Sequence, residues 1–140
     1  MKIFKTLSIA FLLTGALAGT SAYGKVNPAV VKYSDLPAKT AVIKHPAAAN
    51  VNAFFSDATL FHFEVYKIGS KQDIDMVIKA FTKDSNVESC TAGRVTGDYQ
   101  AFDVSIKTKK DKAWFVSKLK QAGINTIKIN NEPPVGVESL

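Results

Sequence analysis

Residues 60 to 130 pass through hydrophobic periods in an order that few folds can satisfy. Phe61, Phe63 and Val65 alternate with His62, Glu64 and Tyr66, the period of two that marks a half-buried strand. Ile74, Val77, Ile78 and Phe81 then recur at i, i+3, i+4 and i+7, which predicts a helix with one apolar stripe. Val87, Ser89, Cys90 and Ala92 suggest a second strand ending near Gly93 or Val95. Thr96-Gly97-Asp98 is a hairpin signal, and Phe102, Val104 and Ile106 alternate through a third strand. Asp111 can cap a second helix carrying Phe115, Leu119 and Ala122 on one face, with Gly123 as its stop. Ile127 and Ile129 make a short fourth strand. The order is β-α-β-β-α-β, so the expectation is an α+β fold. Specifically, it is a ferredoxin-like sandwich of a four-stranded antiparallel sheet with both helices on one face.

The segments outside this core read differently. Lys2 and Lys5 precede an apolar run from Leu7 to Leu17, and Ala22-Tyr23-Gly24 places small residues where a signal peptidase reads. Residues 1–24 are therefore expected to be a signal peptide, its run shorter than the roughly 20 residues of a membrane span. No cysteine follows the run to accept a lipid. The expected product is exported, periplasmic or extracellular, and not integral to the membrane once cleaved. About 116 residues would remain, enough for one domain with one core, and the net charge would fall from +6 to about +4. Residues 25–58, with Pro28, Pro37, Pro46 and the run Ala47-Ala48-Ala49, read as an extended arm. In it, Thr40-Ala41-Val42-Ile43 can form at most a short edge strand boxed in by prolines. The domain proper is expected over residues 59–130, and residues 131–140 as an irregular tail.

The core resembles the heavy-metal-associated domain, the fold of copper chaperones and of soluble modules on metal-pumping ATPases. The likeness runs through "FHFEVYKIG", "VIKAF", "NVESCTA", "VTGDYQAFDVSI" and "KQAGI". The resemblance implies metal handling through a Gly-Met-x-Cys-x-x-Cys loop between the first strand and first helix, whose soft thiolates favour copper(I) and zinc. In this chain the cysteine positions fall on Ser70 and Asp73 and the methionine position on Ile68. The two oxygen-bearing side chains do not replace two thiolates. Ser70 suits an N-cap and Asp73 its answering carboxylate, and Asp73 and Asp75 suit the positive end of the helix dipole. The site is expected to be degenerate, with no confident cofactor; a metal ion remains an implication of the resemblance.

Other candidates carry weaker signals. His45 and His62 are the two histidines, a two-ligand metal site only if the arm folds back onto the sheet. Cys90, the single cysteine, has no internal disulfide partner and reads as a small inward hydrophobe rather than a reactive thiol. Trp114 flanks the second helix's stripe, either wedged at the helix edge or exposed as an interface anchor. Lys107, Lys109, Lys110 and Lys112 form a basic corner, a solvated surface or a contact for an acidic protein or anionic headgroups. Nucleic acid is not expected, since the charge is mild and lacks interleaved aromatics. Catalysis is not expected either. Acylphosphatases share the anticipated fold but use an arginine in the first loop; here that loop is Gly69-Ser70-Lys71 and the only arginine is Arg94. The reading is a non-catalytic exported binding module with a lost metal site. Its alternative is a metal-handling protein that uses non-thiolate ligands or a partner's thiols.

Overall fold

The alternation of Phe61, Phe63 and Val65 places three large side chains on one side of β2 (Leu60–Tyr66), each fully buried. In the computed structural model, residues 35–44 and 51–140 are described, the side chains of 51–53 excepted. Residues 1–24, expected to be a signal peptide, lie outside them. The described elements are β1 (Thr40–Ile43), α1 (Val51–Asp57), β2, α2 (Lys71–Thr82), β3 (Val87–Thr96), β4 (Tyr99–Ile106), α3 (Lys112–Gln121), β5 (Thr126–Ile129) and β6 (Val135–Gly136), with a closing 3-10 turn at Val137–Ser139.

The fold is α+β, and the β2-α2-β3-β4-α3-β5 series follows the periodicities in order. The sheet differs from the anticipated one. It is six-stranded and mixed, in the order β3-β4-β2-β1-β5-β6, rather than four-stranded and antiparallel. The change comes from β1, which lies between β2 and β5. It pairs antiparallel with β2 (Ala41 opposite Val65) and parallel with β5 (Ala41 opposite Ile127). Thr40-Ala41-Val42-Ile43 is thus an interior strand, not an edge strand, and all four residues are buried. A strand covered on both faces needs no alternation, and an unbroken apolar run is its sequence mark. Pro37 does not prevent this, because the chain turns before the strand begins. Lys39 takes a left-handed φ of 57° and its amide donates to Tyr66 O at 2.7 Å, while Thr40 Oγ1 donates to Pro37 O at 2.7 Å.

Residues 51–57 also belong to the packed structure. Phe54 and Phe55 of α1 meet Phe61 (5.2 Å between ring centroids) and Phe115 (5.6 Å) respectively. The described parts of the expected arm therefore lie in the sheet and the core, and the tail contributes β6 and fully buried Val137. Between helices and sheet, Phe115 of α3 has no exposed surface, and its ring lies 5.2 to 6.2 Å from those of Phe54, Phe55, Phe61, Phe63 and Phe81. On the opposite face, Leu36, Val42 and Tyr66 form a smaller cluster with Tyr99.

Phe115→Ala should cost about 3–5 kcal/mol, because the surrounding rings come from three elements, α1, β2 and α2, and cannot collapse together into the void. Denaturant unfolding measures it, and a loss below about 1 kcal/mol would contradict the packing. Removing residues 1–58 deletes β1 and α1 and should leave a chain without a cooperative unfolding transition; a sharply melting fragment would show that β1 is dispensable.

Candidate functional site

The loop from β2 to α2 occupies the position where the resemblance puts metal ligands. The chain leaves β2 through Lys67, at a left-handed φ of 45°, whose amide donates to Asp98 O in the β3–β4 turn at 2.7 Å. Ser70 is extended (φ −135°, ψ 156°) and caps α2, its Oγ accepting from the Asp73 amide at 3.1 Å. Asp73 turns its carboxylate to Lys39, with Nζ 2.8 Å from Oδ1. The Lys39 ammonium is the leading reason that the Asp73 carboxyl sits below the usual carboxylate range; desolvation opposes it and Ser70 assists. Ser70 and Asp73 are thus both engaged, one as a cap and the other paired with an ammonium. Beside the loop, a cleft of about 340 Å³ opens between Ile68, Ile74, Val95, Tyr99 and Gln100.

The open side of the sheet carries the remaining polar candidates. His62 Nδ1 lies 2.7 Å from Asp103 Oδ1, across the β2–β4 pairing. Both side chains are largely solvated, at 61% and 46% exposure, so solvent screens the pair and its worth is small. Next along β2, Glu64 accepts from Lys44 Nζ at 2.6 Å, and that ammonium lies 5.7 Å over the Tyr99 ring. Among the described residues no three metal-ligating side chains gather. His45 lies outside the described residues.

Cys90 lies inward on β3 opposite Val104, 7% exposed, and burial above all, with the Asp103 charge second, pushes its thiol up to about 12. The basic corner is partly committed. Lys107 Nζ donates to Ser85 O at 2.9 Å, and Lys109 Nζ lies 3.5 Å from Asp57. Lys110 and Lys112 are half-buried.

Trp114 is wedged rather than free. Its ring lies 6.0 Å from Phe61 and 5.9 Å from Phe81, and its Nε1 donates to Asp84 Oδ2 at 2.7 Å. Lys118, one helical turn on and 8% exposed, brings Nζ to 3.3 Å from the same oxygen and 5.8 Å from the Trp114 ring. Asp84 also accepts from the Asn86 amide at 2.9 Å. This network ties the α2–β3 turn to α3, and sequence reasoning missed it. The i, i+4 spacing of Trp114 and Lys118 was visible, but nothing local points to an acceptor thirty residues earlier in the chain.

Compared with known proteins, the chain matches no family model, no curated protein and no solved structure. No helix among the described residues is long and apolar enough to cross a membrane.

The Asp84 carboxyl is held down to about 2, first by the Trp114 indole N–H, then by the Asn86 amide and Lys118. A carboxyl lowered in the folded state stabilises fully above its unfolded value near 3.8, and that contribution fades as pH falls toward 2. Asp84→Asn should cost about 1–2 kcal/mol at neutral pH and flatten the loss of stability between pH 4 and 2. Urea melts across that range check it; an unchanged acid profile would remove Asp84 from the account.

Proposed function

We propose that this chain is an exported, non-catalytic binding module built on a scaffold related to the heavy-metal-associated domain, with its metal loop converted into a structural joint. The observation that carries the reading is the Lys39–Asp73 pair at 2.8 Å beside the Ser70 cap. An ammonium from the turn before β1 neutralises the carboxylate at one former ligand position, and the hydroxyl at the other closes the helix end. The loop then joins β1 to α2 and holds no soft donor for copper(I). Export rests on the Lys2/Lys5 and Leu7–Leu17 pattern followed by Ala22-Tyr23-Gly24. The core series β2-α2-β3-β4-α3-β5 supports the relationship, with β1 as an added central strand.

The purified protein should not withdraw copper(I) from a chelator of sub-nanomolar affinity. Ser70→Cys with Asp73→Cys should create a two-thiolate site that does. The double variant should lose about 1–2 kcal/mol without metal, since the N-cap is removed, and regain part of it by mass action with copper. Tight copper binding by the unaltered protein would favour metal handling through other ligands and sink the proposal. A folded double variant that fails to bind would show that the loop no longer follows the ligand path.

A further inference from the structure

The outer edge of β3 has a symmetry of its own. β3 ends the sheet, pairs only with β4 among the described strands, and is exposed at Glu88, Ser89 and every residue from Thr91 to Thr96. An edge of ten residues is an open template for another strand. Two irregularities interrupt its pairing with β4, one between Val87 and Ser89 and one between Ala92 and Val95. Thr91 lies midway between them.

The direction of the free backbone groups follows from β4. The Ile106 amide donates toward β2, to Thr59 O at 2.9 Å, and the Lys107 amide toward β3, to Asn86 O at 2.8 Å. Alternation along β4 therefore turns Asp103 and Ser105 toward β3, and Gln100, Phe102, Val104 and Ile106 toward β2. On β3, Thr91 and Ser89 spend their amides and carbonyls on Asp103 and Ser105. Val87, Cys90, Ala92 and Val95, opposite the other set, turn theirs outward. Val87 gives its amide to Asp84 O at 2.9 Å and keeps its carbonyl.

These outward positions are self-complementary about Thr91. In an antiparallel pairing centred there, Cys90 meets Ala92 of the second strand and exchanges both backbone bonds, and the Val87 carbonyl meets the Val95 amide. The bulges coincide as well. A bulge on an edge strand ordinarily blocks pairing, because a foreign strand has no matching extra residue. A strand with two bulges equidistant from one residue matches a copy of itself.

The side chains agree with this register. Val87 faces Val95 and Cys90 faces Ala92 on the helix-covered side. On the open side Ser89 faces Gly93 and Thr91 faces Thr91. Glu88, which accepts from Ser105 Oγ at 3.0 Å on that side, faces Arg94, which shares with Gly93 the bulge opposite Ala101. Each copy offers one acid and one base at positions that exchange under the twofold, giving two ion pairs per dimer. Exposed pairs of this kind add little affinity and mainly fix register. We propose that two copies of this chain pair antiparallel through β3, about a twofold axis at Thr91, into one continuous sheet. This inference does not depend on the fate of the metal loop.

Sedimentation velocity over a concentration series should show the purified protein passing from monomer to dimer. Glu88→Arg places two like-charged residues against each other at both ends of the interface, and Arg94→Glu does the same with acids. Each variant alone should raise the dimer dissociation constant at least tenfold, with an unchanged thermal melt showing that the fold persists. Mixed in equal amounts they restore opposite charges at both contacts and should dimerise as the unaltered protein does. Thr91→Cys in a Cys90→Ala background should form an intermolecular disulfide under mild oxidation, since the axial residues of such a pairing lie about 4.5 Å apart at Cα. An unaltered protein that stays monomeric throughout, or a dimer indifferent to both charge variants, would overturn the proposal. So would a mixture that fails to recover.

Discussion

The burial of Phe115 is the interaction on which the rest of the molecule depends. Its ring is enclosed by phenylalanines from α1, β2 and α2, so one side chain on α3 packs against both other described α-helices and the sheet at once. Aromatic pairs prefer tilted and edge-to-face contacts, and the interplanar angles here run from 32° to 89°. Such a cluster is filled from several directions at once. It therefore ties α1, which follows β1 in the chain, to the same core that the β-α-β-β-α-β series builds.

That tie explains the position of β1. A four-stranded sheet would set β2 beside β5, with their inner faces meeting the helices. Inserting a four-residue strand widens the sheet without disturbing either helix's contact with its own strands, and the inserted residues are covered on both faces. Ala41 and Ile43 join the large core, while Val42 joins Leu36, Tyr66 and Tyr99 on the far face. The same insertion carries Lys39 to the start of α2. The residue that neutralises Asp73 is thus delivered by the strand that makes the sheet mixed, and the architecture and the Lys39–Asp73 pair share one cause.

Polar features elsewhere divide by their burial. The Asp84–Trp114–Lys118 network is sheltered, with Lys118 almost covered, and acts as a brace between the α2–β3 turn and α3. The His62–Asp103 pair is bathed in water and brings no third ligand with it among the described residues. The most specific unpaired feature is in the backbone, along the outer edge of β3. There, bulge spacing and the positions of Glu88 and Arg94 favour a second copy over an arbitrary strand.

Residues read in isolation determined whatever depends on local period and local capping. The alternation of Phe61, Phe63 and Val65, the stripe from Ile74 to Phe81, the Ser70 and Asp111 caps and the inward Cys90 all stand where the sequence puts them. A strand's face and a helix's start are set within a few residues, so these were legible. Tertiary structure alone decided which strands became neighbours, because pairing is a choice among distant segments and Thr40–Ile43 carries no mark of its partners. It also decided that Lys39 would meet Asp73 and that Trp114 would find Asp84, contacts spanning 34 and 30 positions. A side chain's local pattern says which way it points; only the closed sheet and packed helices say what it meets.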